Sequence, residues 1–249
     1  WRDIMSNPVL NDRFLENERV LEGATMTVSG AINKTLILLL CLLASAVYTF
    51  SVVSSGFVDK AQMLTIGGAV VGFILAMVII FSRKVEWFKF LTPAYAIAEG
   101  FFVGGISAFF EASWVGIVAQ AIMGTLVTIL MMLGLYKAGV IRATEKFRSV
   151  LLLATASIAV IYLIQFVASF FGRSIPEIFT ASGIGIGFSI LVVGVAALNL
   201  IIDFDFIERG AMSMLERDYE WYGAFGLMVT IVWLYIEMLR LIAKLNSRN

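Results

Sequence analysis

The chain has 249 residues, 60% of them hydrophobic and 14% charged, and its 18 basic and 18 acidic side chains cancel to a formal net charge of zero. Soluble domains carry roughly a quarter charged residues, so this composition, with a mean hydropathy of +0.94, points to an integral membrane protein with no soluble catalytic module. Histidine is absent and cysteine occurs once. That excludes Ser-His and Cys-His catalysis, histidine-ligated zinc or haem, a histidine pH switch and any intrachain disulfide.

Residues 1–32 form a polar arm of mixed charge, with Arg13, Glu16, Glu18, Arg19 and Glu22. This stretch is too long and too acidic for the head of a signal peptide, so no cleavable signal is expected. Seven apolar runs follow, at 33–54, 64–82, 88–109, 114–135, 149–171, 178–203 and 220–243. Each is long enough to cross a hydrocarbon core of about 30 Å as a helix. Hydrocarbon offers backbone groups no water, so each run must satisfy its hydrogen bonds internally. The expected fold is an all-α integral membrane protein with seven transmembrane helices over residues 33–245 and a short tail at 246–249.

Polar punctuation separates the runs. Ser54-Ser55-Gly56 closes the first, Arg83-Lys84 the second and Glu111-Ala112-Ser113 the third. The stretch from Lys137 to Arg148 closes the fourth, Gly172-Arg173-Ser174 the fifth, and the charged turn from Glu208 to Asp218 the sixth. Cytoplasmic loops hold the excess of lysine and arginine. A cytoplasmic N-terminus puts most basic residues on that side and leaves Lys60, Arg173, Arg240, Lys244 and Arg248 outside. The single cysteine, Cys41, reads as a small apolar residue of the first helix. Gly68-x-x-x-Gly72, Gly100-x-x-x-Gly104 and Gly183-x-Gly185-x-Gly187 fit close helix packing. No phosphate-binding loop follows those glycines.

The carboxylates carry the functional signal, because a charge inside a bilayer costs at least a few kcal/mol and persists where it lines a cavity, pairs, or handles ions. Glu99 lies within the third run, just after Pro93 loosens the helix below it. It reads either as a neutral glutamate in one interhelical hydrogen bond or as part of a permeation or proton-sensing path. Asp203 and Asp205 close the sixth run two residues apart, about 200° around a helix, so they cannot share a face. Asp205 precedes Arg209 by four, the favourable order for an ion pair. Asp203 has Phe206 and Ile207 at the matching positions, no basic partner, and is the stronger functional candidate.

Folding the last two runs into a hairpin centred near Ser213 sets Asp203 opposite residue 223 and brings Glu220 within about one helical turn. Two carboxylates in a poorly hydrated place cannot both ionise easily, so they would share a proton or bind a cation, Ca²⁺ in particular. Glu220 could instead anchor the interface beside Trp221 and Tyr222. Glu237, three residues before Arg240, reads as a local ion pair or as the outer mouth of a path.

Several of these segments resemble the Bax inhibitor-1 family. They are Asn33-Lys34-Thr35, Ala98-Glu99-Gly100-Phe101-Phe102-Val103-Gly104, and Leu198-Asn199-Leu200-Ile201-Ile202-Asp203-Phe204-Asp205-Phe206-Ile207. Glu220-Trp221-Tyr222-Gly223-Ala224-Phe225-Gly226 and Leu234-Tyr235-Ile236-Glu237-Met238-Leu239-Arg240 resemble its bacterial branch. The resemblance implies a last helix surrounded by the other six and a pH-sensitive calcium leak across a bacterial inner membrane. It also implies a proton-sensing aspartate pair on the sixth and seventh helices and an arginine latch on the second. Asp203 takes the first aspartate's place, Thr230 stands where the second should be, and Arg83 is the nearest counterpart of the latch. The pair is then either remade with Glu220 or absent.

The expected function is a pH-modulated calcium leak channel or carrier, not an enzyme, with Asp203 and Glu220 as gate and transient Ca²⁺ ligands. Asp205 is an auxiliary ligand in this scheme and Glu99 lies along the path. No tightly bound cofactor and no nucleic acid partner are expected. A second reading, also implied by the resemblance, is a non-transporting regulator that binds a membrane-bound ATP-dependent protease through the polar arm. An intramembrane aspartyl protease needs aspartates on neighbouring spans, and the seventh run has none.

Overall fold

Thr27 starts the first membrane helix: its hydroxyl oxygen accepts a hydrogen bond from Gly30 N–H, satisfying one of the free donors of the first turn. A computed structural model describes residues 25–82, 84–172 and 176–248, apart from the side chains of 176 and 177. Seven of its helices are long and apolar enough to cross a membrane. They are α1 (Val28–Ser54), α2 (Val58–Phe81), α3 (Phe88–Ser113), α4 (Ile117–Lys137), α5 (Glu145–Phe170), α6 (Gly183–Met212) and α7 (Tyr219–Asn246). Residues 1–24 of the polar arm lie outside the described residues, as does Arg83, and residues 28–32 of the arm belong to α1.

Side-chain caps repeat along the chain. Thr144 accepts from Phe147 N–H to open α5, and Ser182 accepts from Gly185 N–H to open α6. Glu111 reaches from the end of α3 to accept from Gly116 N–H at 2.6 Å and Val118 N–H at 3.1 Å, which caps α4. Gly116, at φ 86°, makes the tight corner between those helices.

Seven crossings put the start of α1 and the end of α7 on opposite sides, here the near and far sides. α7 packs against α1, α3, α4 and α6, and α5 reaches it through a hydrogen bond from Tyr162 to Glu237. α2 packs on α3 and α1 at the periphery, and α2 and α5 are the spans least buried by protein. The last helix is therefore central, though its enclosure comes mainly from four neighbours.

Glycines set the closest approaches. A methyl group added at Gly100 or Gly104 would run into α1 at Leu42 O and Ala46 O, and one at Gly68 would come within 2.5 Å of Ala98 O. These two glycine pairs sew α1, α3 and α2 together. Gly183 and Gly187 differ from that expectation: a side-chain carbon at either would meet no atom within 4 Å.

The sixth span also differs from its expected extent. The apolar run ends at Asp203, but α6 continues nine residues to Met212. Arg209 donates to Asp205 at 2.8 Å, and Arg148 of α5 bonds the same carboxylate. These contacts let a charged segment remain helical, so Asp203 lies well inside a helix instead of at its mouth.

Candidate functional site

Asp203 is fully buried, at 0% exposure. Neither of its carboxylate oxygens has a hydrogen-bond partner. Thr230 of α7 faces it without forming a well-made bond, and the Thr230 hydroxyl donates to Gly226 O at 3.3 Å. A buried polar group without a partner costs about 1–3 kcal/mol, and more when charged. Such a group in the centre of a membrane bundle is a candidate functional site.

An aromatic layer separates this carboxylate from the near side. The ring of Tyr222 lies 5.0 Å from that of Phe88 and 6.0 Å from that of Phe206, one turn beyond Asp203 on α6. Phe225 completes the layer, 5.0 Å from Tyr95 in an edge-to-face contact. Phe88, Phe206, Tyr222 and Phe225 are all buried. The site is closed.

Glu220 does not share this site, which corrects the expected pair. Its carboxylate accepts from Thr27 N–H at 2.8 Å and from the Thr27 hydroxyl at 2.9 Å, and it is ion-paired with Lys34. The Lys34 ammonium also lies 5.3 Å from the centre of the Trp221 ring. Glu220 thus sits at the N-terminus of α1, where the helix dipole and free N–H groups favour an anion. Gly30 makes room for it, since any side chain there would collide with the carboxylate. The reason for the misplacement is the turn: it spans Ser213–Asp218 between α6 and α7, so its centre lies near residues 215 and 216. That moves the partner of residue 203 from about 223 to about 228, and Thr230 becomes the neighbour.

The same facts dissolve the expected calcium ligand pair of Asp203 and Glu220. Among the described residues no group of three His, Cys, Asp or Glu side chains could hold a metal ion. Asp205, the expected auxiliary ligand, is instead held by Arg148 and Arg209. Beside it Tyr136 of α4 donates to Glu208 of α6. Together these contacts tie α4, α5 and α6 at the near side.

Glu99 lies at the seam between α3 and α2, half-buried, with the Tyr95 side chain beside it. A methyl group at Gly72 would lie 3.1 Å from its Oε2. Tyr95 connects this seam to α7 through Phe225, but no described hydrogen bond joins Glu99 to Asp203. Glu237 is 1% exposed near the far side, accepting from Tyr162 and from Arg240, each at 2.9 Å. The proposed latch, Arg83, falls outside the described residues.

Lys34, Tyr222 and Thr27 carry more of the site's geometry than their sequence signals suggest. Lys34 had a readable clue: a lysine in the second turn of an apolar helix needs a partner.

A seven-helix membrane bundle, with a central last helix and an unpartnered aspartate buried against it, defines the class. The chain belongs to the Bax inhibitor 1 like family, whose model matches residues 7–247. No curated protein matches the chain.

Proposed function

We propose that this protein is a pH-modulated leak for small cations, calcium foremost, in which Asp203 is the carboxylate where proton and cation compete. The burial of Asp203 with both oxygens unpartnered is the observation that carries this reading. Proton occupancy neutralises the carboxylate at little cost in a dry core, whereas a bare charge there demands a counter-ion or water. Passage requires the layer of Tyr222, Phe206, Phe88 and Phe225 to part, so the structure fits a closed state of such a leak.

Thr230 in place of a second carboxylate suits a single-site switch, in which either one proton or one cation occupies the Asp203 carboxylate at a time. Glu220, Lys34 and Thr27 then act as a fixed clamp between α1 and α7 that holds the near side shut. The reading includes no enzymatic step. The bacterial inner membrane in this reading rests on the resemblance of the last helix to the family's bacterial branch, and the cytoplasmic near side on the distribution of lysine and arginine.

The test is calcium flux into liposomes carrying the purified, folded protein, from acidic to neutral pH. Flux above that of empty liposomes, varying with pH, is the expected result. Flux no greater than the blank at every pH would refute the leak.

A further inference from the structure

On the far side a cleft of about 540 Å³ opens between the ends of α3, α5, α6 and α7. Arg240 and Lys244 supply its charge, and Trp114, Phe166 and Phe179 much of its apolar wall. We propose that this cleft binds the phosphodiester headgroup of an anionic membrane lipid, with an acyl chain lying along the aromatic wall.

The charge arithmetic favours one negative ligand. The Lys244 ammonium donates to Ile178 O, Gly185 O and Ser189 Oγ, each at 2.9 Å. These acceptors orient the ammonium but are neutral, so they leave its charge unbalanced. Arg240 donates through Nη1 to Glu237 and stacks over Tyr162, with its guanidinium 4.8 Å from the ring centre. Its other N–H groups have no protein acceptor among the described residues, and its side chain is 41% exposed. Among the described residues of the cleft, two cations and the Glu237 carboxylate leave one positive charge, the complement of a phosphodiester.

The guanidinium fork suits phosphate oxygens, and its bond to Glu237 fixes its direction. The apolar flank selects a lipid over a soluble anion. Phe166 and Phe170 are exposed on α5 beside the cleft, with rings 5.0 Å apart. A free phosphate gains nothing from that surface, whereas a hydrocarbon chain does.

The experiment is native mass spectrometry and thermal unfolding of the full chain in neutral detergent, with phosphatidylglycerol, phosphatidylcholine or inorganic phosphate added. Phosphatidylglycerol should be retained and should raise the unfolding temperature more than phosphatidylcholine, while inorganic phosphate has no effect. Arg240→Gln should weaken phosphatidylglycerol binding at least about tenfold, and Arg240→Lys should restore part of it. Equal retention of the two lipids would overturn the proposal, as would protection by inorganic phosphate equal to that by lipid. Undiminished binding by Arg240→Gln would do so too. If that variant does not fold, the comparison of the three additives on the unaltered protein still decides.

Discussion

Asp203 on α6 and Thr230 on α7 face each other in the buried centre of the bundle, and neither carboxylate oxygen has a well-made hydrogen bond. Phe206, one turn further along α6, and Leu200 and Val232 on the two helices are buried as well. Under the proposed leak, Asp203 is the group through which pH would act on the bundle.

Replacing Thr230 with aspartate would put a second carboxylate opposite the first. Two such groups share a proton and bind a cation more readily than one. Thr230→Asp should therefore steepen the pH dependence of calcium flux in liposomes. An unaltered profile would mean that the two positions do not meet in the working protein.

The aromatic layer should set the resting leak. Tyr222→Ala removes a fully buried ring that touches Phe88, Phe206 and Phe225. Flux at neutral pH should rise several-fold, and stability should fall by about 3 kcal/mol as expected for a large aromatic truncated in a core. Loss of stability with no gain in flux would make the layer structural only.

The clamp between α1 and α7 predicts a stability effect of its own. Glu220→Ala leaves Lys34 and the Thr27 N–H without their acceptor, a loss of roughly 2 kcal/mol or more for bonds to a charged group. Gly30→Ala drives a methyl group into the same carboxylate and should cost a comparable amount. Thermal unfolding in detergent reads both, and a wild-type midpoint for Glu220→Ala would contradict the clamp.

The glycine seams allow a paired comparison. Gly100→Val must force α1 away at Leu42 and should destabilise by about 1–3 kcal/mol. Gly187→Val meets open space and should unfold close to the unaltered protein. Similar midpoints for the two variants would remove close packing as the role of the α1–α3 seam.

Much of this was legible in the sequence. The seven spans follow from runs of apolar residues that hydrocarbon forces into helices, and the Gly68/Gly72 and Gly100/Gly104 pairs do lie at helix seams. The Asp205–Arg209 and Glu237–Arg240 pairs were readable because they are local, four and three residues apart. The partners of Glu220 were not, since Lys34 and Thr27 lie 186 and 193 residues away. The length of α6 was hidden for the same reason: Arg148, 57 residues from Asp205, offsets the charge that seemed to end the helix. A shift of two or three residues in the turn between α6 and α7 was enough to exchange Glu220 for Thr230 opposite Asp203. Gly183 and Gly187 misled because spacing shows which helices could approach closely, and the open far end of α6 gives them nothing to approach.

The most direct measurement compares calcium flux through the unaltered protein and Asp203→Asn in matched liposomes, from acidic to neutral pH. Asparagine keeps the shape and cannot titrate, so the account predicts a flux that no longer changes with pH. A variant whose flux follows pH as the unaltered protein does would contradict it.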